Sequence, residues 1–561
     1  PGPLEKIYLI RLSEETGEPE LLVKWKGLAH IHCQWVPRRE LEAELSNKQR
    51  VLRFLKAQAE RETGNGADNT WDLGDEGDEG GRGARTDEEP YNPDFEVVER
   101  IVCQAASEAV PPHSEDLPPR YLVKWRSLPY AACTWESCRT LLAEQQAIRL
   151  YHQREQAPPE HEKKMAASGG FRPLKTAFKK LTASPSFKAG HTLRSYQLEG
   201  LNWLLFSWYN RRSVMLADEM GLGKTVQSVS TLHHIWKEEG IRGPFLVLAP
   251  LSTLAHWLRE FEEWTEMNTI LYHGSNESRE LIREVEWHFA PNVVPPPKPG
   301  SEAPLLYKFH VLITSYEVIK QDLHVFKKIP WRYVVIDEAH RLKNKDSALA
   351  ADLRTISMEH MHLLSGTPLQ NNTTELWALL YFLDRQLFPS LDEFLAEFGT
   401  LTDSAQVDAL NEKIRPYLLR RQKGDVEKSL VPLEETIIWV EMTLFQKRCY
   451  RAVLEGNREI LLGGAQSAAM PSLINLQMEL RKVCNHPYLI QGIEQREREL
   501  NGTDEVEGVP PSVAAGSSMT LAVPSAGPRP SYLDSLLKAS GKCVLLDKLL
   551  PKLKADGHRV L

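Results

Sequence analysis

The sequence predicts an α/β domain, in which helices cover both faces of a parallel sheet, preceded by two small α+β modules. From residue 191 onward, short apolar runs alternate with helical segments, at 214–217, 245–249, 311–313 and 333–336 and more weakly at 360–364. Runs without polar alternation are typical of strands buried on both faces, as in a parallel sheet. The helical segment after the first run carries an apolar stripe, made of Val226, Val229, Leu232 and Ile235. The third observation is a repeat within the first 157 residues.

The two copies of this repeat share short stretches of sequence. Residues 22–26 read LVKWK and residues 122–126 read LVKWR, while CQW at 33–35 returns as CTW at 133–135. Each copy then continues into a helical pattern, over 41–56 and over 141–151. Matching segments of this kind predict a duplicated small domain, which occupies 1–60 and 91–157.

Changes in composition predict the boundaries between domains. Residues 61–90 mix glycine with acidic residues and predict an acidic linker, and 501–535 predicts a disordered insert rich in Gly, Ser, Pro and Ala. Residues 158–190 form a lysine-rich connector, which is either a solvated segment or a brace that faces DNA or another domain. The α/β domain is expected to span 191–425, with its core at about 203–386, followed by a helical connector at 426–500.

The final residues predict the start of a further domain. Residues 536–561 contain a helical pattern at 545–553, and then His558-Arg559-Val560-Leu561, which resembles the beginning of a buried strand. The chain also begins without methionine. It is therefore expected to be part of a longer protein, truncated within this further domain.

Composition and charge place only broad limits on function. The 42% of hydrophobic and 26% of charged residues are typical of a globular protein, and no apolar run approaches the roughly 18 residues of a membrane helix. The formal charge of −8 means that any nucleic-acid site must be a local basic surface. The seven cysteines include no CxxC pair, which predicts reduced intracellular thiols.

The strongest chemical motif is a glycine-rich loop between an apolar run and an amphipathic helix. It comprises Asp218, Glu219, Met220, Gly221, Leu222, Gly223, Lys224 and Thr225. Glycines let backbone N–H groups converge on phosphates, and the helix N-terminus adds its positive dipole end. Lys224 is expected to reach the β- and γ-phosphates of ATP and Thr225 to ligate Mg²⁺. Asp218 stands where the usual pattern has its first glycine.

A second motif, Asp337-Glu338-Ala339-His340, directly follows the apolar run at 333–336. An acidic residue at the carboxyl end of a buried parallel strand lies at the ligand-binding edge of the sheet. Asp337 is expected to hold Mg²⁺, and Glu338 to orient and deprotonate an attacking water. The two motifs together predict a site that binds and hydrolyses ATP.

Further motifs follow in a fixed order and carry a family resemblance. Gln197 offers an amide suited to both hydrogen-bonding edges of adenine. The other motifs are APLST at 249–253, TSYE at 314–317, RLKN at 341–344, SGTPLQN at 365–371 and CNHPY at 484–488. With DEMGLGKT and DEAHRLKN, this set resembles the Snf2-type ATPases of helicase superfamily 2 over residues 191–561. The resemblance implies a RecA-like lobe.

Each copy of the N-terminal repeat resembles a chromodomain. Two chromodomains ahead of a Snf2 motor are similar to the chromodomain-helicase-DNA-binding family. Their sequence motifs look most like those of its Kismet-like branch. The resemblance implies an ATPase that translocates along double-stranded DNA, restructures nucleosomes and regulates transcription in the nucleus, with no membrane partner. It also implies that hydrolysis by this chain is weak or absent, because the family's second lobe supplies arginines to the γ-phosphate.

The same resemblance assigns roles to polar residues away from the phosphate loop. It implies that one set contacts the DNA backbone, namely Ser252, Thr253, Thr314 and Ser315, and that Lys343 and Asn344 contact DNA or take part in coupling. It implies that another set couples phosphate state to the grip on DNA: Ser365, Gly366 and Thr367. Hydroxyls in such positions are also ordinary caps at strand ends, and that alternative stays open.

The chromodomain aromatics do not complete a methyl-lysine cage. The family's cage uses the tryptophan of the KW strand, present here as Trp25 and Trp125, but Leu28 and Leu128 stand where a second ring is needed. Trp35 and Trp135 are expected to pack the small cores. Binding to methylated histones is therefore doubtful, and contact with nucleosomal DNA or with the motor is preferred.

Two other classes of function compete with the motor. One is a non-catalytic chromatin scaffold with a vestigial motor, which the retention of Lys224, Thr225, Asp337 and Glu338 disfavours. The other is an RNA helicase, which can also carry DEAH, but the chromodomain-like pair and the SGTPLQNN stretch disfavour it.

Overall fold

The structure, a computed structural model, describes most of the chain. The described residues are 3–13, 17–43, 45–62, 91–105, 119–167, 172–295, 305–342, 348–366, 373–398, 404–426, 434–455, 476–490, 492–494, 497 and 532–560. They fall into two compact units, Pro1–Leu41 with Gly83–Leu430, and Glu42–Arg82 with Val431–Leu561. No helix among the described residues has the length and apolarity to cross a bilayer.

The first unit begins with two small antiparallel sheets that are built alike. The strands are β1 (Leu4–Leu12), β2 (Pro19–Trp25), β3 (Gln34–Pro37), β4 (Val98–Gln104), β5 (Arg120–Trp125) and β6 (Thr134–Ser137). Their orders are β1-β2-β3 and β4-β5-β6, and both first pairings are irregular at equivalent positions. In each sheet a buried lysine pairs with a glutamate of the first strand, Lys24 with Glu5 and Lys124 with Glu99. The predicted duplication is confirmed.

Helices follow each small sheet, as the sequence predicts. They are α1 (Arg38–Glu42), α2 (Leu45–Glu62) and α3 (Gln145–Glu155). The acidic linker lies largely outside the described residues, which resume at 91.

A seven-stranded parallel sheet forms the centre of the first unit, in the order β13-β7-β12-β11-β8-β10-β9. Its strands are β7 (Val214–Leu216), β8 (Phe245–Leu248), β9 (Thr269–Tyr272), β10 (Val311–Thr314), β11 (Tyr333–Ile336), β12 (Met361–Leu364) and β13 (Leu418–Leu419). Five of them coincide with the predicted apolar runs. The edge strands β9 and β13 were not predicted.

Helices cover both faces of this sheet. The helices of this part of the chain are α4 (Glu160–Ala167), α5 (Ser195–Tyr209), α6 (Lys224–Lys237), α7 (Leu254–Trp264), α8 (Asn276–Glu286), α9 (Tyr316–Gln321), α10 (Leu323–Phe326), α11 (Ala348–Leu353), α12 (Thr373–Leu383), α13 (Leu391–Phe398), α14 (Ser404–Ile414) and α15 (Lys423–Val426). Alternate residues of β8 enter two different cores, one shared with α5, α6 and α7 and the other with α8, α9 and α12. The predicted fold class is confirmed.

The second small module packs directly against the α/β domain. Arg100 of β4 forms a two-atom ion pair with Glu286 of α8, at 2.6 and 2.9 Å, and its guanidinium also reaches the side chain of Asn268. Tyr130 adds its hydroxyl to Glu286 at 3.4 Å, and its ring joins the core on that face of the sheet. The module and the α/β domain therefore share one continuous interior.

The lysine-rich connector is partly built into the domain. Arg172 is buried, donates a hydrogen bond to Nδ1 of His360 at 3.0 Å and lies over the ring of Trp208. Glu162 of α4 pairs with Arg242 at 2.9 Å. Exposed lysines remain at 175, 179 and 180. The connector is thus a brace along the domain rather than a wholly solvated segment.

The described elements of the second unit are all helices. Besides α2, it contains α16 (Leu444–Leu454), α17 (Leu476–Asn485), α18 (Tyr532–Ala539) and α19 (Gly541–Ala555). Buried Gln446 links two of these helices, because its side-chain amide donates to the carbonyl of Val483 at 2.9 Å. The predicted insert lies almost wholly outside the described residues. The predicted strand at the end of the chain is wrong over 558–560, which are exposed and pair with no described strand.

We expect Glu286→Gln to destabilise the first unit by about 3–5 kcal/mol, because it leaves the buried Arg100 guanidinium without its counter-charge. Urea unfolding followed by tryptophan fluorescence measures this free energy. The control is Glu397→Gln, which breaks the exposed pair with Lys413 and should cost less than about 1 kcal/mol. Equal unfolding midpoints for Glu286→Gln and the wild type would contradict the expectation.

The same pair predicts a pH dependence. Burial alone would raise the pKa of Glu286, but Arg100, Lys308 and Arg154 outweigh it and hold that pKa below its ordinary value. The Glu286 carboxylate therefore binds a proton more readily in the unfolded chain than in the folded one. The stability that the ion pair contributes is present above the ordinary glutamate pKa of roughly 4.3 and is lost as the pH falls below it. Glu286→Gln should therefore show a weaker loss of stability in acid than the wild type.

Candidate nucleotide-binding site

The sequence motifs emerge from one edge of the large sheet. The strands β7, β12 and β11 are neighbours and run parallel, so their carboxyl ends lie side by side. The glycine-rich loop follows β7, the acidic pair follows β11, and Ser365 follows β12. Because ligands bind outside the carboxyl ends of parallel strands, this edge is the candidate site.

The glycine-rich loop turns tightly ahead of α6. Gly221 and Gly223 have φ angles of +85° and +78°, a left-handed conformation that favours glycine, and Gly223 precedes the first residue of α6. The Lys224 ammonium donates a hydrogen bond to the backbone oxygen of Asp218 at 2.8 Å. Burial lowers the pKa of Lys224, while the carboxylates of Asp218 and of the acidic pair act in the opposite direction. The lysine therefore lies in the field of the acidic pair.

The acidic pair is held in two different ways. One carboxylate oxygen of Asp337 accepts a hydrogen bond from the indole of Trp257 at 2.8 Å, and the other accepts the backbone N–H of Glu338 at 2.9 Å. Burial raises the pKa of Asp337. Glu338 has a φ of +50°, which is unusual for a residue other than glycine, and its carboxylate lies 3.1 Å from His340. Asp337 is thus fixed, whereas Glu338 sits on a strained turn with its carboxylate accessible.

Asp218 supports the loop from inside the domain instead of offering its side chain to a ligand. It is 0% exposed, and its two oxygens accept hydrogen bonds from Arg421 and, at 3.2 Å, from Gln227. Nucleotide binding by Asp218, as part of the loop, stays a prediction, and its side chain is already engaged by Arg421 and Gln227. Arg421 lies 203 residues away in the chain, and no local sequence pattern points to it.

The remaining loop residues and Gln197 mostly make contacts within the protein. The Gln197 oxygen accepts the backbone N–H of Arg194 at 3.0 Å, and its amide nitrogen lies 3.4 Å from the oxygen of Leu222. Leu222 is buried and Met220 is exposed. Glu219 accepts the backbone N–H of Lys423 at 2.7 Å. Contact of Gln197 with adenine stays a prediction, and it would require the amide to exchange one of these bonds.

The loop after β12 touches the phosphate loop. A β-carbon on Gly366 would lie 2.8 Å from the terminal methyl carbon of Met220, so the two loops are in contact, and a larger residue at 366 would displace that exposed side chain. Ser365 is buried, its hydroxyl has no hydrogen-bond partner among the described residues, and its backbone N–H donates to Leu216. Thr367 lies outside the described residues. A coupling role for this segment stays a prediction.

The residues expected to contact DNA divide into exposed and buried ones. Ser252 is exposed and Thr253 is half-buried in a short 3₁₀ turn before α7. Thr314 and Ser315 are buried: the Thr314 hydroxyl donates to the oxygen of Tyr272 at 2.8 Å, and the Ser315 hydroxyl caps α9. The expectation that these two hydroxyls face DNA is therefore wrong. Lys343 and Asn344 lie outside the described residues.

Two of the four tryptophans of the small modules are not placed as expected. Trp25 and Trp125 are buried, and the indole of Trp125 donates to the Thr134 hydroxyl at 2.9 Å. Trp135 is 42% exposed, and Trp35 is half-buried beneath the guanidinium of Arg11. The expectation that Trp35 and Trp135 pack the cores is wrong, because they lie on edge strands while Trp25 and Trp125 lie on central ones.

The residues at this edge fit a magnesium nucleotide. The two left-handed glycines and the first turn of α6 present backbone N–H groups, and Lys224 adds a cation. Burial and the neighbouring Glu338 raise the pKa of Asp337 despite the nearby Lys224, and a divalent cation bound there would add positive charge beside both carboxylates. The half-buried Thr225 hydroxyl makes no hydrogen bond to another described residue, so it is available as a ligand.

Comparison with protein families gives two matches along the chain. The SNF2-related domain matches residues 196–489. The Chromo (chromatin organisation modifier) domain matches residues 97–154, which contain the second small sheet. The first of these matches covers more than half of the chain.

Curated relatives match over nearly the whole chain. Chromodomain-helicase-DNA-binding protein 8 of Danio rerio is 41% identical over 100% of this chain and 20% of its own length. Protein 8 of Homo sapiens is 42% identical over 97% of this chain and 19% of its length, and protein 7 of Homo sapiens is 42% identical over 100% and 17%. The chain thus spans about a fifth of the length of these relatives. A solved SWI2/SNF2 ATPase core from Sulfolobus solfataricus, in complex with double-stranded DNA, is 22% identical with a TM-score of 0.37, covering 68% of each chain.

We expect Arg421→Ala to destabilise the first unit by about 3–5 kcal/mol, because it leaves the buried Asp218 carboxylate without its counter-charge. Adding Asp218→Asn should restore part of the loss, since no buried charge then remains. Urea unfolding of both variants measures this. Arg341→Ala, which breaks an exposed pair with Glu317, is the matched control and should cost less than about 1 kcal/mol. A single variant as stable as the control would refute the structural role of the pair.

Proposed function

The chain belongs to the SNF2-related family, among the chromodomain-helicase-DNA-binding proteins, and from this we propose that it is the nucleotide-binding part of an ATP-dependent chromatin remodeller. The complete protein hydrolyses ATP to ADP and phosphate and uses the energy to translocate along double-stranded DNA on nucleosomes. The site of action is the nucleus. The Kismet-like branch stays a prediction.

One observation carries this proposal: the phosphate loop and the acidic pair follow the carboxyl ends of β7 and β11, the two strands that flank β12, in a domain that shares its interior with a chromodomain. The order β7-β12-β11 brings Lys224 and Asp337 to the same edge, although 113 positions separate them in the printed sequence. The pKa of Lys224 responds to the carboxylates of that pair, after the larger effect of burial. Neither feature suits a scaffold that has lost its motor.

Each residue then has a defined part in the proposed reaction. The backbone N–H groups of the loop and the Lys224 ammonium bind the β- and γ-phosphates. Thr225 and Asp337 would hold Mg²⁺, which, when bound, offsets phosphate charge. Glu338 positions a water against the γ-phosphorus and accepts its proton, as the bond from that phosphorus to the bridging oxygen breaks. The accessible carboxylate and strained backbone of Glu338 are consistent with a role as the general base.

DNA contact is proposed at the exposed turn that contains Ser252 and Thr253, beside the nucleotide edge. Contacts from hydroxyls and backbone N–H groups to phosphates are independent of sequence, as a translocating motor requires. Nucleosomal DNA and histones are the proposed partners.

The test is ATP hydrolysis by the full-length protein in the presence of duplex DNA, single-stranded RNA or nucleosomes. We expect stimulation by nucleosomes and duplex DNA and not by RNA. Glu338→Gln should lower the stimulated rate by at least about 10²-fold, because the carboxylate that accepts the proton is removed. Glu277→Gln, an exposed carboxylate on α8, is the matched control and should keep the wild-type rate.

The possible results separate the competing functions. Folded protein that binds ATP without stimulation by any nucleic acid would favour a chromatin scaffold. Stimulation by RNA alone would favour an RNA helicase. Equal rates for Glu338→Gln and the wild type would refute the assignment of the catalytic carboxylate.

We further expect that histone-tail peptides carrying trimethyl-lysine bind no more tightly than unmodified ones. Trp25 and Trp125 are buried, so neither ring face is free to enclose a quaternary ammonium. Fluorescence polarisation with paired peptides measures the ratio of dissociation constants. A preference of tenfold or more for the methylated peptide, on the order of 1.4 kcal/mol, would contradict this expectation.

A further inference from the structure

A segment remote in sequence runs alongside the phosphate loop. The backbone N–H groups of Met215, Ala217 and Glu219 donate in turn to the carbonyls of Tyr417, Leu419 and Arg421, at 2.7, 2.7 and 3.0 Å. The pairing of β13 with β7 therefore continues past both strands into the first residues of the loop. This ladder fixes where the residues after β13 lie.

Two side-chain contacts fix the same segment further. The Arg421 guanidinium binds both oxygens of buried Asp218 and also donates to the side-chain oxygen of Gln227 at 2.7 Å. Glu219, the second residue of the loop, accepts the backbone N–H of Lys423 at 2.7 Å. The loop and residues 421–423 are thus bound to each other by main-chain, charged and capping hydrogen bonds.

This arrangement brings a second lysine onto the phosphate loop. A β-carbon built on Gly221 would lie 3.2 Å from the Nζ of Lys423 and 3.3 Å from its Cε. Since Gly221 has no side chain and a φ of +85°, the ammonium rests against the loop backbone. Lys423 is half-buried and forms no ion pair with another described residue. The Glu219 carboxylate accepts the backbone N–H of Lys423 but forms no ion pair with its ammonium.

We propose that Lys423 is a second phosphate-binding cation of the nucleotide site, acting beside Lys224. The proposal rests on the proposed function, because it assumes that the loop binds a nucleoside di- or triphosphate. An ammonium held against a loop that gathers phosphates has a ready partner in their oxygens, and charged hydrogen bonds of this kind are strong. Asp218 does not neutralise it, since Arg421 already occupies that carboxylate. The motif residues 218–225 alone would then be an incomplete description of the site.

The test is equilibrium binding of ATP, ADP and adenosine to this chain and to Lys423→Ala, by isothermal titration calorimetry with Mg²⁺. We expect Lys423→Ala to weaken ATP binding roughly tenfold, the loss expected from one charged hydrogen bond, and to leave adenosine binding unchanged. Lys423→Arg, which keeps the charge, should recover most of the affinity. Gln422→Ala, a change of the exposed neighbouring residue, is the matched control and should bind all three ligands as the wild type does.

The outcomes distinguish this proposal from the proposed function. Wild-type chain that binds neither nucleotide would overturn both. Nucleotide binding by the wild type that Lys423→Ala leaves unchanged, in a variant with the wild-type melting temperature, would overturn the role of Lys423 alone. Tighter ATP binding by Lys423→Ala would also overturn it, because the ammonium would then compete with the phosphates. An equal loss of ATP and adenosine binding would make the lysine structural.

Discussion

The common direction of the seven strands is the constraint on which the candidate site depends. In a parallel sheet every strand ends at the same edge, so loops that are far apart in sequence become neighbours. The order β7-β12-β11 brings the phosphate loop, the Ser365 loop and the acidic pair together. The same geometry requires the interior strands to be buried on both faces, which is why their sequences are mostly apolar and why helices must cover both sides.

The position of the phosphate loop is set by a buried charge pair that would be costly if it were incomplete. Asp218 is fully buried, and a carboxylate in that position is tolerated only because Arg421 meets both of its oxygens and Gln227 adds a further hydrogen bond. Buried ion pairs add little net stability, but they restrict the conformation of the chain, because few arrangements pair every buried charge. The position of the phosphate loop relative to β13 is therefore fixed in the absence of nucleotide.

The sequence reveals those parts of the protein that local patterns encode. The interior strands, the glycine-rich loop, the DEAH residues and the duplicated module each have a period, spacing or repeat, and the structure confirms the strands and the duplication. The edge strand β13 has only two residues and no pattern, so Arg421 and Lys423 could not be linked to the loop. The tryptophans and Thr314 were misassigned because burial depends on strand order, which single motifs do not contain.

The contact between the second chromodomain and the α/β domain restricts how the two can communicate. The side chains of Arg100 and Glu286 are both largely buried, and Tyr130 of the module packs into the hydrophobic core of the α/β domain. Sliding the module along α8 would expose apolar surface and separate a buried pair, at a cost of several kcal/mol. A ligand that binds the module can change the nucleotide site only if it favours the displaced arrangement over the packed one by several kcal/mol of binding free energy. A smaller difference in affinity leaves the module and the α/β domain packed through Arg100, Glu286 and Tyr130.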